Sequence, residues 1–294
     1  MKNIDVAFCF DKNRWKSVTV AIISMLYNRG KCHYNIHCVI SPNFADNTAA
    51  HKQMAAVVKK MDAKSSIEFI VFDEKKATIP FTSGMAFGGG VAYYKQDLWQ
   101  LLPGVSRVIS LDDDVIVRRP LDELATVDLG DNYMMRFAWG QAFRSPFGTE
   151  KYGEVMQFNA GVIVLNLAQQ RKDKIYKNFA ENYKDKNLSF EQGLMAVTYR
   201  GRMLAYPDDK VMYNFRVHCD KVRGRELAII HYTGKKPWQF PVRFSGEWWR
   251  YAKMSPFYAE LRANFIHNFI TYLMIMPVPR RKWRHALRNR FSRV

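Results

Sequence analysis

Apolar positions along this chain alternate between two rhythms. Ile4 to Phe10 is a short, almost continuously apolar run of strand length. Ser17 to Arg29 then repeats apolar residues at helical spacing, with Val18, Ala21, Ile22, Met25 and Leu26 on one face and Gly30 as a stop signal. The same reading predicts a second strand over Asn35 to Ile40, a helix over Thr48 to Met61, a third strand over Ile67 to Phe72 and a helix over Tyr93 to Leu102. Val105 to Arg119 opens rich in Val and Ile and is expected to form a buried strand. Asn132 to Ala138 and Gly161 to Leu167 are further strands, and Arg171 to Tyr183 a helix with Ile175, Phe179 and Tyr183 inward. This rhythm predicts an α/β fold, a mostly parallel sheet flanked by helices on both faces.

In open sheets of this kind ligands bind beyond the carboxyl ends of the strands, so the residues just after each strand matter most. Asp11 and Asn13 follow the first strand, where turn chemistry or a helix cap would also explain them. Asp112, Asp113 and Asp114 interrupt the later apolar run. In an extended backbone Asp112 and Asp114 share one face and Asp113 takes the other. Two converging carboxylates suit a hard divalent cation such as Mn2+ or Mg2+; an acidic turn neutralised by Arg118 and Arg119 is the alternative. Leu227 to Ile230 leads into HYTGKKPW, His231 to Trp238. A neutral imidazole can complete a metal shell, Gly234 permits close backbone approach, and Lys236 can neutralise phosphate oxygens. A structural histidine and solvated lysines are the competing explanation, but with the acidic triplet these residues suggest a cation and a phosphate held side by side.

Composition narrows the partners. The chain has 294 residues, is 48% hydrophobic and carries a formal net charge of +18, which fits one large domain, or one plus an appendage, drawn to something anionic. No nucleic-acid-binding motif accompanies the charge, so no specific nucleic acid partner is expected. A dinucleotide oxidoreductase would need a Gly-rich turn after the first strand, and FDKNRWKS has none. Cys9, Cys32, Cys38 and Cys219 form no paired motif and are read as reduced core residues of a cytosolic protein. MKNIDVAFCFDKN lacks a signal-length apolar core, so secretion is not expected.

From Met254 onward the pattern is that of an appendage. Phe257, Tyr258, Leu261, Phe265, Ile266 and Phe269 recur near helical spacing, and Phe265 to Val278 falls short of the roughly 20 residues a spanning helix needs. Beyond Pro279 come seven basic residues and no acidic one, interleaved with Trp283, Leu287 and Phe291. Each Lys or Arg gains about 1 kcal/mol near an anionic leaflet, so peripheral attachment to an anionic membrane surface is expected. A disordered basic tail, or a helix packed on the core, is the alternative.

The ordered motifs carry a family resemblance. VAFCFDKN, VISLDDDVIVRRPLDEL, FNAGVIVLNL, FEQGLM, YNF, HYTGKKPW and the WWRYAKMSPFY region from Trp248 to Tyr258 together resemble the family-eight retaining glycosyltransferases of GT-A fold, a group that includes bacterial lipopolysaccharide core galactosyl- and glucosyltransferases. The resemblance implies a GT-A nucleotide-sugar transferase domain over residues 1–245 and a C-terminal helical, basic extension over 246–294 that associates with acceptor and membrane. It implies a UDP-sugar donor, UDP-galactose or UDP-glucose, and Mn2+ or Mg2+ held by Asp112, Asp114 and His231. Asp11, Asn13, Asp112, Asp113, Gly234 and Lys236 would bind the nucleotide. Lys95, Asn159, Ala160, Glu191 and Gln192 would line the sugar site, with Gln192 and Glu191 as the candidate catalytic residues.

The chain departs from the family pattern at Arg14, where an aromatic is frequent, at Lys95 in place of Arg, at Gly193 in place of an acidic residue, and in the short loop between Gly234 and Lys236. The implied activity is a metal-dependent, retaining hexose transfer to a lipopolysaccharide, lipooligosaccharide or related surface glycan. The implied location is the cytoplasmic face of the bacterial inner membrane. A non-catalytic nucleotide-sugar binding protein is the alternative.

Overall fold

The computed structural model describes residues 3–79, 90–137, 158–183, 191–207 and 209–275. Strand β1 (Ile4–Phe10) leads to helix α1 (Trp15–Tyr27), then β2 (Tyr34–Ile40), α2 (Thr48–Met61) and β3 (Ser66–Val71). The Asn47 side chain accepts the Ala50 N–H at 3.1 Å, which satisfies one of the unpaired donors at the start of α2. After β4 (Arg107–Leu111) and β5 (Val115–Val117) come β6 (Met134–Phe137), β7 (Val162–Asn166), β8 (Met203–Tyr206), β9 (Val211–Met212), β10 (Phe215–Arg216), β11 (Glu226–Leu227) and β12 (Ile229–His231).

The large sheet has seven strands in the order β3-β2-β1-β4-β7-β6-β8. β1 pairs in parallel with β2 and β4, β2 with β3, and β6 with β8, whereas β7 runs antiparallel to both its neighbours. Six strands therefore share one direction and β7 opposes them. Alternate residues of β1 serve different cores: Val6, Phe8 and Phe10 join Ile36, Cys38 and the α1 face, while Ala7 joins Val39, Val108 and Ile163 on the other side. Burial on both faces is why these strands read as continuous apolar runs. A three-stranded sheet, β10-β12-β5, underlies a third cluster with Ile116, Phe215, Ile230, Trp248 and Tyr251.

The structure corrects several sequence expectations. Val105 to Arg119 is two strands in two sheets, broken by a turn at the aspartates, because β4 pairs with β1 and β7 while β5 pairs with β12. The helix expected over Tyr93 to Leu102 is a 3-10 run, Val91–Asp97, followed by one α turn, Leu98–Leu101. Lys95, Gln96 and Asp97 are all buried there, with Lys95 turned inward to Asp112 and the Ala160 carbonyl and Asp97 holding the Thr78 N–H. Arg171 to Tyr183 divides into helices Leu167–Lys172 and Tyr176–Tyr183, because Lys174 takes a left-handed φ of 52°. Ile175 and Phe179 are nonetheless buried as expected. All four cysteines are free; Cys219 is exposed and does not belong to the core.

Helix Ser245–Ala252 buries Trp248 and Tyr251 against the small sheet, and the last described helix is Tyr258–Ile275. Its polarity is partly inverted. Asn268 and Thr271 face inward with Leu261, while Ile266, Ile270, Leu273 and Met274 are 47–75% exposed. Ile266 thus lies outside the apolar face expected for it. Among the described residues no helix is long and apolar enough to cross a membrane. The basic segment beyond Pro279, and Ala138 at the end of its expected strand, lie outside the described residues.

Candidate active site and metal centre

The aspartate triplet occupies the point where the chain leaves the large sheet for the small one. Leu111 is the last residue of β4 to pair with β7, and the Asp112 N–H then donates to the Gly161 carbonyl at 2.8 Å. Two residues later the Asp114 carbonyl accepts the Tyr232 N–H at 2.9 Å, and Val115 pairs with His231. Asp112 is therefore anchored beside β7 and Asp114 beside β12. Their carboxylates converge on His231 as expected, although the convergence comes from a turn between sheets and not from the alternation of one extended strand.

The compensating charges are not Arg118 and Arg119, which the alternative reading of the triplet named. Arg118 lies 3.9 Å from Glu247, and Arg119 pairs with Glu226 at 3.2 Å and Glu123 at 3.6 Å. Two lysines from elsewhere face the carboxylates instead: Lys95 Nζ donates to Asp112 Oδ1 and Lys236 Nζ to Asp114 Oδ2. Backbone carbonyls hold both ammonium groups in place, Ala160 for Lys95 at 2.8 Å and Tyr232 for Lys236 at 3.0 Å. Each lysine takes one oxygen and leaves its fellow toward the imidazole. Asp114 Oδ1 lies 3.1 Å and Asp112 Oδ2 3.8 Å from His231 Nε2.

These three atoms fit a divalent cation. Ligand atoms from Asp112, Asp114 and His231 lie within 4.8 Å of one another. His231 Nδ1 is 2.9 Å from Asn214 Oδ1, an acceptor, so the neutral ring carries its proton on Nδ1 and a lone pair on Nε2. That lone pair faces Asp114 Oδ1, a buried oxygen with no hydrogen bond. Burial would raise the Asp114 pKa, but positive charge on the imidazole whenever it is protonated, and on Lys236, reverses the effect and holds it well below the usual carboxylate range. Lone pairs converging around a carboxylate kept ionised are the donor set a hard or borderline divalent ion takes.

The nucleotide-side candidates divide between the two faces of the turn. Asp113 points away from His231: its Oδ2 accepts from Ser17 Oγ at 2.8 Å and lies 3.8 Å from Arg14 Nη1. Burial and the adjacent Asp114 charge lift its pKa to about 6. Asp11 Oδ1 accepts the Asn13 N–H at 2.9 Å, closing the turn into α1, so the turn chemistry is present whatever else these residues do. Asn13, Lys16 and Ser17 share a cleft with Trp238, Trp248 and Asn264, which places the C-terminal helices beside the start of α1. Gly234 has φ +78°, a conformation that favours glycine. The turn directs Lys236 into the site, while Lys235 stacks over Phe240 and Tyr272.

The sugar-side candidates adjoin the same centre. The Ala160 N–H donates to Gln192 Oε1 at 3.3 Å, linking the start of helix Glu191–Thr198 to the residues before β7. Asn159 Oδ1 accepts from the Gly161 N–H and from Asn214 Nδ2, both at 3.1 Å. Burial raises the Glu191 pKa, and Asp112 adds to this against the opposing charge of Lys95. Lys95 itself is buried, which disfavours its charge, yet Asp112 more than restores it and raises its pKa.

The model of glycosyl transferase family 8 matches residues 5–240. The chain belongs to glycosyl transferase family 8. Among curated relatives, glycosyltransferase GlyE of Streptococcus pneumoniae serotype 4 is 29% identical over 164 residues, covering 50% of this chain and 38% of GlyE. GlyB of the same organism is 25% identical over 194 residues, covering 58% and 45%. This family-8 chain thus spans less than half the length of either relative. Among solved structures, galactosyltransferase LgtC in complex with donor and acceptor sugar analogues superposes with a TM-score of 0.69 at 22% identity, covering 86% of this chain and 96% of LgtC. The bifunctional glycosyltransferase WbbM gives 0.71 at 18% identity, over 89% and 51%. These likenesses show the GT-A fold.

Sequence reasoning missed two residues of this family-8 site. Asn214 was legible only as part of YNF, yet it is 7% exposed and bonds the metal-candidate imidazole. Gly161 was legible only as the end of FNAG, yet a Cβ there would meet His231 Cε1 at 2.1 Å. A polar residue beside an apolar strand and a glycine before another are the available signals, and neither names its partner.

Proposed function

We propose that this family-8 protein is a metal-dependent, retaining hexosyltransferase that moves galactose or glucose from a UDP-sugar to a surface glycan acceptor of the lipopolysaccharide or lipooligosaccharide kind. The observation that carries the reading is the convergence of Asp112, Asp114 and His231, drawn from distant parts of the chain, beside Lys236 at the switch between sheets. The LgtC relative, a galactosyltransferase solved with donor and acceptor analogues, supports the donor class.

Asp112 Oδ2, Asp114 Oδ1 and His231 Nε2 would hold Mn2+ or Mg2+, which supplies Lewis-acid stabilisation of the diphosphate as its charge grows. Lys236 adds a fixed positive charge on the diphosphate side, together with the turn at Gly234. Asp11, Asn13 and Asp113 line the uridine side around the start of α1. Lys95, Asn159, Ala160, Glu191 and Gln192 border the hexose. The anomeric carbon to phosphate oxygen bond breaks, and its electron pair leaves on UDP. The acceptor oxygen bonds to the same face of that carbon, and its proton passes to the departing phosphate. Gln192 stabilises the oxocarbenium-like state, its amide oriented by the Ala160 N–H. Glu191, beside Lys95 and Asp112, is the rival for direct attack as a nucleophile.

Screening UDP-sugars for Mn2+-dependent turnover tests the assignment, and binding without turnover would favour a nucleotide-sugar binding protein. Glu191→Gln and Gln192→Ala separate the two chemistries. Loss of turnover only in Glu191→Gln, with a sugar adduct trapped on the wild type, would establish the double displacement.

Residues 1–245 form the catalytic unit in this reading, and 246–294 an extension that meets acceptor and the cytoplasmic face of the bacterial inner membrane. The outward Ile266, Ile270, Leu273 and Met274 support this, because the chain continues from them into a segment with seven basic residues. Flotation with anionic vesicles should lose the protein when it is truncated after Pro279. Equal flotation of both forms would remove the basic segment from the account.

A further inference from the structure

We propose that Asn214 is a positioning residue that fixes the tautomer of His231 and so presents the Nε2 lone pair to Asp112 and Asp114. The inference deepens the metal reading above and rests on it for its functional consequence, though the proton position stands on hydrogen bonding alone. Asn214 lies immediately before β10, whose parallel register with β12 sets Arg216 opposite His231. Both Asn214 and His231 are buried, at 7% and 2% exposure, so solvent is a poor substitute for the partners each holds.

The orientation of the Asn214 amide follows from its other end. Its Nδ2 donates to the Asn159 backbone carbonyl at 3.3 Å and to Asn159 Oδ1 at 3.1 Å. A backbone carbonyl can only accept, so the NH2 must face Asn159 and the amide oxygen must face His231. Asn159 is fixed in turn, because its Oδ1 also takes the Gly161 N–H at 3.1 Å. The relay therefore runs from Gly161 through Asn159 and Asn214 to His231 Nδ1. Gly161 also backs the imidazole: an added Cβ would lie 2.1 Å from Cε1 and 2.7 Å from Nδ1, so the ring occupies space that any side chain would fill.

Hydrogen bonds to the far nitrogen of a ligating histidine commonly set its tautomer and contribute about 10- to 100-fold in metal affinity. Here a neutral amide does that work, and it also ties the imidazole to Asn159 on the sugar side. Metal and sugar candidates are thus oriented by one chain of hydrogen bonds.

Long-range 1H–15N NMR of protein labelled at histidine, with His231 assigned by a His231→Gln variant, reads the proton position directly. The metal-free wild type should carry a proton on His231 Nδ1, and a neutral ring protonated on Nε2 alone would overturn the proposal without any variant at Asn214. In Asn214→Leu the Nδ1–H population should fall and Mn2+ binding, followed by electron paramagnetic resonance, should weaken about tenfold or more in a protein that still unfolds cooperatively. An Asn214→Leu protein that keeps the wild-type tautomer and affinity would also overturn it. A wild type with the expected tautomer that takes up no Mn2+ would leave the Asn214 assignment supported and refute the metal reading, so the two failures are distinguishable.

Discussion

Two buried histidines in this molecule each face two carboxylates, and their surroundings differ. His37 uses both ring nitrogens on acids, with Nε2 3.0 Å from Asp5 and Nδ1 bonded to Glu68. Burial opposes charge on that ring, but Asp5 and Glu68 outweigh it and raise the His37 pKa above the ordinary histidine value. An imidazolium there satisfies everything it faces, tying β1, β2 and β3 together. His231 gives one nitrogen to a neutral amide and turns the other toward two carboxylate oxygens, one of which makes no hydrogen bond. A saturated cluster is structural; a cluster with convergent lone pairs left over is a candidate ligand site.

The largest effect that would break this comparison is at the metal-candidate carboxylate. Asp114→Ala should lower turnover about 10^3-fold or more while the protein stays folded, measured as release of UDP from the active donor. Lys236→Ala should cost about 10- to 100-fold in the same assay, because one fixed charge is lost and the ligands remain. Gly161→Ala should weaken Mn2+ binding in electron paramagnetic resonance titrations by about tenfold, since the new methyl displaces the His231 ring.

The smallest effect belongs to His37. His37→Gln should leave Mn2+ affinity unchanged and cost about 1–2 kcal/mol in chemical denaturation at pH 6. Because the folded-state pKa of His37 is raised, its contribution is complete below the unfolded value of about 6.5 and is lost as pH rises through the folded value. The stability difference between wild type and His37→Gln should therefore shrink from pH 6 to pH 9. A difference that grows with pH would show that the ring is held neutral.

Much of this was legible in the order of residues. Ile4–Phe10 and Thr48–Met61 have the bounds expected, because a doubly buried strand and a capped amphipathic helix each leave a local pattern. Asp112, Asp114 and His231 do meet, because the turn that carries the chain from β4 to β5 lies beside the end of β12. The division of Val105 to Arg119 was not legible, because Val108, Ile109, Ile116 and Val117 are equally apolar and a change of sheet leaves no periodicity behind. Asn214, like the burial of Asn268 and Thr271 beneath an exposed Ile270, depends on what packs opposite, which a linear pattern does not record. Lys95 and Lys236 were visible as charges, but which oxygen each one holds is a matter of three-dimensional register alone.

Anomalous diffraction at the manganese edge, from crystals grown with Mn2+ and UDP, tests the central claim most directly. One strong peak is expected, bounded by the carboxylates of Asp112 and Asp114 and by His231 Nε2. A peak elsewhere, or no peak at saturating Mn2+ with UDP bound, would contradict it.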